Sequence, residues 1–197
     1  VRNLQGITDG MSPQQFAQKV ELAYQIAWND VYRAATHNKG IMNGIDSVII
    51  ATGNDWRAAE AGAHAFASRS GQYRALSQCK TEDDYIRIWL TIPLALGTVG
   101  GITNLHPLAR RSLEILGNPT APELMAIVAS AGLASNFAAV QSLVTVGIQK
   151  GHMKLHLVNI FNALGATPKQ RQLATDFFKG EKVSFAAVKQ FMDEHKI

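Results

Sequence analysis

Residues 122–131 and 134–146 form two stretches in which apolar side chains fall on nearly every side of a helical wheel. A helix without a polar face must be covered on most sides, so both segments are expected to be deeply buried helices with other elements packed around them. The rest of the chain can supply that cover. Of 197 residues, 47% are hydrophobic and 17% charged, proportions that suit one substantial domain, alone or with a small appendage. The longest apolar runs, 88–102 and 124–134, are broken by Pro93 and glycines or fall short of the ~20 residues a bilayer span requires, so no membrane association is expected.

Ser12-Pro13 marks a helix start, a hydroxyl cap followed by a proline where its missing N–H does no harm. Apolar residues at 16, 20, 23/24, 27, 31 and 34/35 continue it with helical spacing, and Gly40 is its expected stop. The β-branched run 45–53, IDSVIIATG, reads as a buried strand, and Asn54 or Asp55 then caps a helix over 56–68. Residues 84–96 read as one or two strands with Pro93 at an edge, 97–101 (GTVGG) as a glycine loop, and 106–116 as a helix. Gly147 and Gly151 flank a joint, after which a helix begins near residue 152; Thr167-Pro168 and Ser184 open two more. The fold class is α+β: a mostly helical portion packed on a small sheet over 1–146, followed by a helical module over 147–197.

Charge narrows the function. The net charge is +4 and the pI near 9.3, but the basic residues are scattered and Arg110-Arg111 is their one adjacent pair, so nucleic acid is not an expected partner. One cysteine, Cys79, leaves no internal disulfide and suits a reducing compartment. With no leader visible, a cytoplasmic location is expected.

Two constellations can carry chemistry. His152 and His156 stand four apart on one helical face, a spacing known from zinc sites, but Met153 occupies the general-base position and no third ligand is evident. No metal is expected. Lys39 lies where a helix C-terminus is expected, and its plain role there is to offset the helix dipole. Its neighbours suggest more: Arg33, His37 and Asn43 surround it, and Gly40 and Gly44 permit a backbone bend close to a substrate. Arginine suits a carboxylate, while lysine is a point charge for a developing oxyanion. Asp55 is by default a cap, unless Asn54 takes that task and releases it.

Three stretches, HNKGIMNGIDSVIIATGNDWRAAEAGAHAFA (37–67), LGTVGGITNLHP (96–107) and TVGIQKGHMKLHLVNI (145–160), together resemble hydroxymethylglutaryl-CoA reductases of the bacterial, class II type. The resemblance implies two hydride transfers from NADH or NADPH to a thioester, giving mevalonate and free coenzyme A, in the mevalonate route to isoprenoids. It places the catalytic lysine, aspartate and histidine on Lys39, Asp55 and His152, with Arg33 and Asn43 contacting the hydroxymethylglutaryl group. It implies that 1–146 is part of a substrate-binding large domain and that 147–197 is a flap bearing His152. Neither the family's E-N-x-x-G motif, with its catalytic glutamate, nor its D-A-M-G-M-N stretch occurs here. The nicotinamide-binding small domain is therefore expected outside this chain, which alone would be inactive. The expected partners are the remaining N-terminal part and a second copy, in a homodimer or higher homo-oligomer. The competing reading is a non-catalytic coenzyme A-binding or scaffold domain of the same family.

Overall fold

The computed structural model describes residues 10–82, 85–101, 105–145, 147–178 and 183–194, with side-chain detail outside 148–155. The chain divides into two compact units, Val1–Thr145 and Val146–Ile197. The first contains α1 (Pro13–Asn29), α2 (Val31–Ala51), α3 (Trp56–Ala67), β1 (Ser77–Glu82), β2 (Tyr85–Leu90), α4 (Pro107–Ile115) and α5 (Ala121–Val144). The second contains α6 (Ile148–Ala163), α7 (Pro168–Phe177) and α8 (Phe185–Glu194).

Helix α1 starts as its sequence indicates. The Gln15 N–H donates to Ser12 Oγ at 3.1 Å, the Ser12 N–H donates to Gln15 Oε1 at 3.2 Å, and Pro13 opens the first turn. It stops earlier than the apolar spacing suggests. Asp30 is extended, at φ −107° and ψ 123°, and its carboxylate accepts the Arg33 N–H at 2.6 Å, which begins a second helix.

That second helix overturns two expectations. Gly40 does not end it, and 45–53 is not a strand: α2 runs unbroken for 21 residues through both. The β-branched residues sit in register with the helix before them, since Ala34, Asn38, Ile41, Ile45 and Ile49 are buried at intervals of three and four. Packing of that stripe overrides the strand propensity of isoleucine and valine. The true stop is Gly53, at φ +71°, where the Gly53 N–H donates to Ile50 O at 3.1 Å and the Asn54 N–H to Ile49 O at 2.9 Å.

The two apolar helices expected over 122–131 and 134–146 are one, α5, of 24 residues. It is not buried on all sides. Leu124, Val128, Gly132, Asn136 and Val140 form one buried stripe, whereas Ala126, Ser130, Ala134 and Ala138 are exposed. Alanine explains the difference, because it raises apolar content yet favours the helix even in water. By length and composition α5 could cross a membrane, contrary to the reading of its shorter pieces. Its buried stripe instead carries polar Asn136, bonded to Tyr24 and His37, and packs along α2.

The sheet is a single antiparallel hairpin, with Ser77 opposite Leu90 and Glu82 opposite Tyr85. Within the expected strand region 84–96, residues 85–90 form the strand, residue 84 lies outside the described residues, and the partner β1 was not foreseen. Ile86, Ile88 and Cys79 pack against Phe16, Val20 and Tyr24 of α1. The main core joins Ile41, Ile45 and Ile49 of α2 to Ala59 and Ala63 of α3 and to Leu124 and Val128 of α5. In the second unit, Leu157, Phe161, Phe178, Val188 and Phe191 form a separate core.

The approach of α2 to α5 is testable. A Cβ on Gly44 would lie 2.4 Å from the Ala131 carbonyl oxygen, so Gly44→Ala is expected to destabilise by about 1–3 kcal/mol through forced separation of the helices. A Cβ on Gly40 meets only Asn136 Nδ2 at 3.7 Å, so Gly40→Ala should stabilise by about 0.5–1 kcal/mol through helix propensity. Urea denaturation of both variants checks the contrast; midpoints shifted in the same direction would refute it.

Candidate active site

Helix α2 bears candidate site residues on two faces. Arg33 and His37, one turn apart, point inward: His37 is 2% exposed and Arg33 is half-buried. Lys39 and Asn43, also one turn apart, are exposed, on a face about a third of a turn around the axis from Arg33. Lys39 is thus mid-helix, not at a C-terminus, and offsetting the dipole does not account for it. Among the described residues its ammonium has no ion pair. Arg33 Nη1 donates to Thr36 Oγ1 at 3.1 Å, the one hydrogen bond its guanidinium makes among the described residues. Burial lowers its affinity for its proton, and nearby Tyr24 partly offsets this.

Asp55 is the N-cap of α3. Its Oδ1 accepts the N–H groups of Arg57 at 3.0 Å and Ala58 at 3.3 Å, and the Ala58 bond is the chief cause holding its carboxyl below the usual range. Asn54 does not relieve it of that task. Asn54 Nδ2 donates to Gly97 O at 3.0 Å, and the Gly97 N–H returns to Asn54 Oδ1 at 2.8 Å, which ties the glycine loop to the α2–α3 turn. Asp55 Oδ2 takes no hydrogen bond among the described residues, and Asp55 lines an open cleft of about 370 Å³ with Gly53, Asn54, Trp56 and Arg57.

The structure does not bring Asp55 to Lys39 within one chain. Twelve residues of continuous helix separate Lys39 from Ala51, about 18 Å of axis at 1.5 Å per residue, and Asp55 lies beyond that end. Glu60 of α3 meets Asp46 of α2, so α3 folds back alongside α2 with Asp55 at the end remote from Lys39. His152 lies on α6, in the second unit, and its side chain is outside the described residues. Helix α6 begins at Ile148 after Gly147, at φ +80°, rather than at 152. His156, four residues beyond His152 along α6, is exposed.

Three residues passed over in the sequence prove informative. Asn38 is fully buried and acts as a mock strand edge: its Nδ2 donates to Arg74 O at 2.9 Å and its Oδ1 accepts the Leu76 N–H at 2.9 Å. Asp46 Oδ1 is buried with no donor, facing the Glu60 carboxyl. Burial, then the charge and hydrogen bond of Glu60, raise Asp46 to about 6. A proton held between the two carboxyls would satisfy that oxygen. The available signal was periodicity, because both residues extend the α2 and α3 stripes that pack together.

The sequence profile of the hydroxymethylglutaryl-coenzyme A reductase family matches residues 1–157. The 3-hydroxy-3-methylglutaryl-coenzyme A reductase of Archaeoglobus fulgidus is 48% identical over 160 residues, covering 81% of this chain and 36% of that protein. The probable 3-hydroxy-3-methylglutaryl-coenzyme A reductase of Borreliella burgdorferi is 44% identical over 163 residues, 83% of this chain and 37% of that protein. Among solved structures, the class II 3-hydroxy-3-methylglutaryl-CoA reductase of Streptococcus pneumoniae bound to NADPH in open conformations superposes with a TM-score of 0.66. It is 52% identical over 67% of this chain and 36% of its own. A second structure of the Streptococcus pneumoniae reductase has a TM-score of 0.68 and 42% identity over 98% of this chain and 45% of that one. The chain thus spans less than half the length of these relatives.

The Asp46–Glu60 pair carries a pH signature. Asp46 rises from 3.8 to about 6 in the fold, so the folded state binds more protons than the unfolded one in that window, and stability falls as pH rises through it. Asp46→Asn should abolish this fall, giving a higher urea midpoint than the parent at pH near 8 and no gain below pH 4. A parent whose midpoint does not decline between those limits would contradict the shared proton.

Proposed function

The chain belongs to the hydroxymethylglutaryl-coenzyme A reductase family, and on that premise we propose that it forms part of the substrate-binding domain and the flap of a class II reductase. The whole protein interconverts a hydroxymethylglutaryl thioester with mevalonate and free coenzyme A, using NADH or NADPH as hydride carrier. The observation that carries this reading is Lys39: an ammonium without an ion pair among the described residues, exposed on a rigid helix and placed along its axis between the half-desolvated Arg33 and Asn43.

The residues divide the work by charge. Reduction of a thioester places negative charge on its carbonyl oxygen, and the Lys39 ammonium stabilises that charge without reorganising. Arg33, with donors left over from Thr36, takes the free carboxylate at the far end of the acyl group. Asn43, one turn beyond Lys39, hydrogen-bonds the same acyl group. His152, on the flap, protonates the departing coenzyme A thiolate in a range where imidazole titrates. The hydride carrier supplies the electrons. The described sheet is one antiparallel hairpin, with no strand–glycine turn–helix unit to hold a dinucleotide, so its binding falls to the segments that the relatives carry in addition.

Asp55 fits this scheme through a second copy of the chain. Its distance from Lys39 along α2 rules out a contact within one subunit, whereas a two-fold dimer can set the α2–α3 turn of one subunit against mid-α2 of the other. The Asp55 carboxylate, held ionised by its cap bonds, then lies against the Lys39 ammonium across the interface. The dimer is cytoplasmic in this reading, consistent with Cys79 as a free thiol.

In the whole protein, Lys39→Ala should lower kcat by at least about 10²-fold with an unchanged thermal midpoint, and His152→Gln should chiefly slow thiolate release. Mixed dimers of Lys39→Ala with Asp55→Ala subunits should recover about a quarter of native activity, because half of randomly assorted dimers carry one intact composite site. No recovery would place both residues in one subunit's site and remove the dimer argument.

A further inference from the structure

One helical turn from Arg33, and within reach of its charge, lies a buried polar cluster that the reaction does not use directly. It joins Tyr24 of α1, His37 of α2, Ser77 of β1 and Asn136 of α5, each no more than 2% exposed. Tyr24 Oη donates to Asn136 Oδ1 at 2.9 Å, and Asn136 Nδ2 donates to the His37 carbonyl at 3.2 Å, which fixes the amide orientation. Ser77 Oγ lies 2.7 Å from His37 Nε2 and 3.4 Å from Asn136 Oδ1. The tyrosine ring meets the imidazole edge-on, with centroids 4.9 Å apart.

The proton count selects one tautomer. If Ser77 donated to Nε2, the proton would sit on Nδ1, which is buried with no partner, and a buried N–H would go unmet. If Nε2–H donates to Ser77 Oγ and Ser77 donates to Asn136 Oδ1, every side-chain donor in the pairings above finds an acceptor. Only the Nδ1 lone pair is then left over, the lesser penalty. A second proton on the ring has no acceptor. Burial, reinforced by the like charge of Arg33 one turn earlier, lowers His37 to about 4. The ionisable groups that act on this cluster are Tyr24 from α1, Arg33 from α2 and Cys79 from β1, and none is a carboxylate that could stabilise a charged ring.

We infer that His37 is a positioning residue for Arg33: a neutral imidazole, protonated at Nε2 and pinned through Ser77 and Asn136, forms the fixed bed for the guanidinium that grips the substrate carboxylate. The imidazole fills the space below Arg33 without adding a second cation there, and its tether to β1 and α5 sets the rotation of α2. This rests on Arg33 binding the carboxylate as proposed above.

The test compares His37→Phe with His37→Gln in the whole protein. Phenylalanine keeps the bulk but leaves Ser77 Oγ without its donor, while glutamine restores an N–H near the Nε2 position. His37→Phe should raise KM for the hydroxymethylglutaryl thioester about tenfold with kcat changed less than about threefold, and His37→Gln should stay within about threefold of the parent in both. Equal losses in the two variants, a fall in kcat at constant KM, or no KM change in His37→Phe would overturn the inference. Nitrogen NMR of the parent decides the case even if His37→Phe does not fold. A neutral Nε2–H ring at pH 6 supports the bed, and an Nδ1–H or charged ring refutes it. Arg33→Lys separates the two claims: an unchanged KM there would defeat the carboxylate reading. The bed would then stand or fall on whether the Arg33 Nε–H signal, sharp in the parent and in His37→Gln, broadens in His37→Phe.

Discussion

Helices α2 and α5 meet so closely that a Cβ on Gly44 would lie 2.4 Å from the Ala131 carbonyl and one on Gly132 would lie 2.6 Å from Ile45 Cγ1. This contact places the rest of the larger unit. It lets Ile41 and Ile45 fill the space a side chain at 132 would occupy, and it brings Asn136 against the His37 carbonyl at 3.2 Å. Close packing of this kind tolerates neither a shift nor a rotation of one helix against the other. The direction in which Lys39, Asn43 and Arg33 point is therefore set from behind, by the buried residues of the α2–α5 contact.

The polar groups at this contact are specified as closely as the apolar ones. Asn38, Asn136, Ser77 and His37 are buried, and every one of them makes hydrogen bonds that cross between elements. Such bonds add little net stability, but a misregistered α2 would leave several buried donors unmet at once. The penalty falls on wrong arrangements, and that is how a helix with an apolar stripe acquires a single rotational setting. At the other end of α2, Asp46 faces Glu60 of α3, a contact expected to weaken as pH rises through about 6.

Much of this was legible in the sequence, and the failures share a cause. The helix starts at Ser12-Pro13 and Thr167-Pro168 are local chemistry, and the structure shows each as a reciprocal cap. The strand expected over 45–53 failed because β-branched composition was weighed above periodicity, although Ala34, Asn38, Ile41, Ile45 and Ile49 hold one helical stripe throughout. Splitting α5 in two and burying all of it failed because alanines count as apolar without requiring cover. At the site, the pattern pointed to Lys39, Arg33 and Asn43 but not to Asn38, Asn136 or Asp46, whose meaning exists only once distant segments meet.

The misread strand also has a consequence for the site. Had 45–53 been a strand after a turn at Gly40, the chain could have doubled back and set Asp55 beside Lys39 in one subunit. A continuous α2 forbids this, because a helix advances 1.5 Å per residue whatever its sequence. The same rigidity that fixes the orientation of Lys39 keeps its expected partner beyond the end of α2, which lies about 18 Å of helix axis away. If the two act together, the partner must come from a second subunit. Association is then a requirement of the chemistry, since a lone copy would hold an ammonium midway along α2 and a carboxylate beyond its C-terminal end.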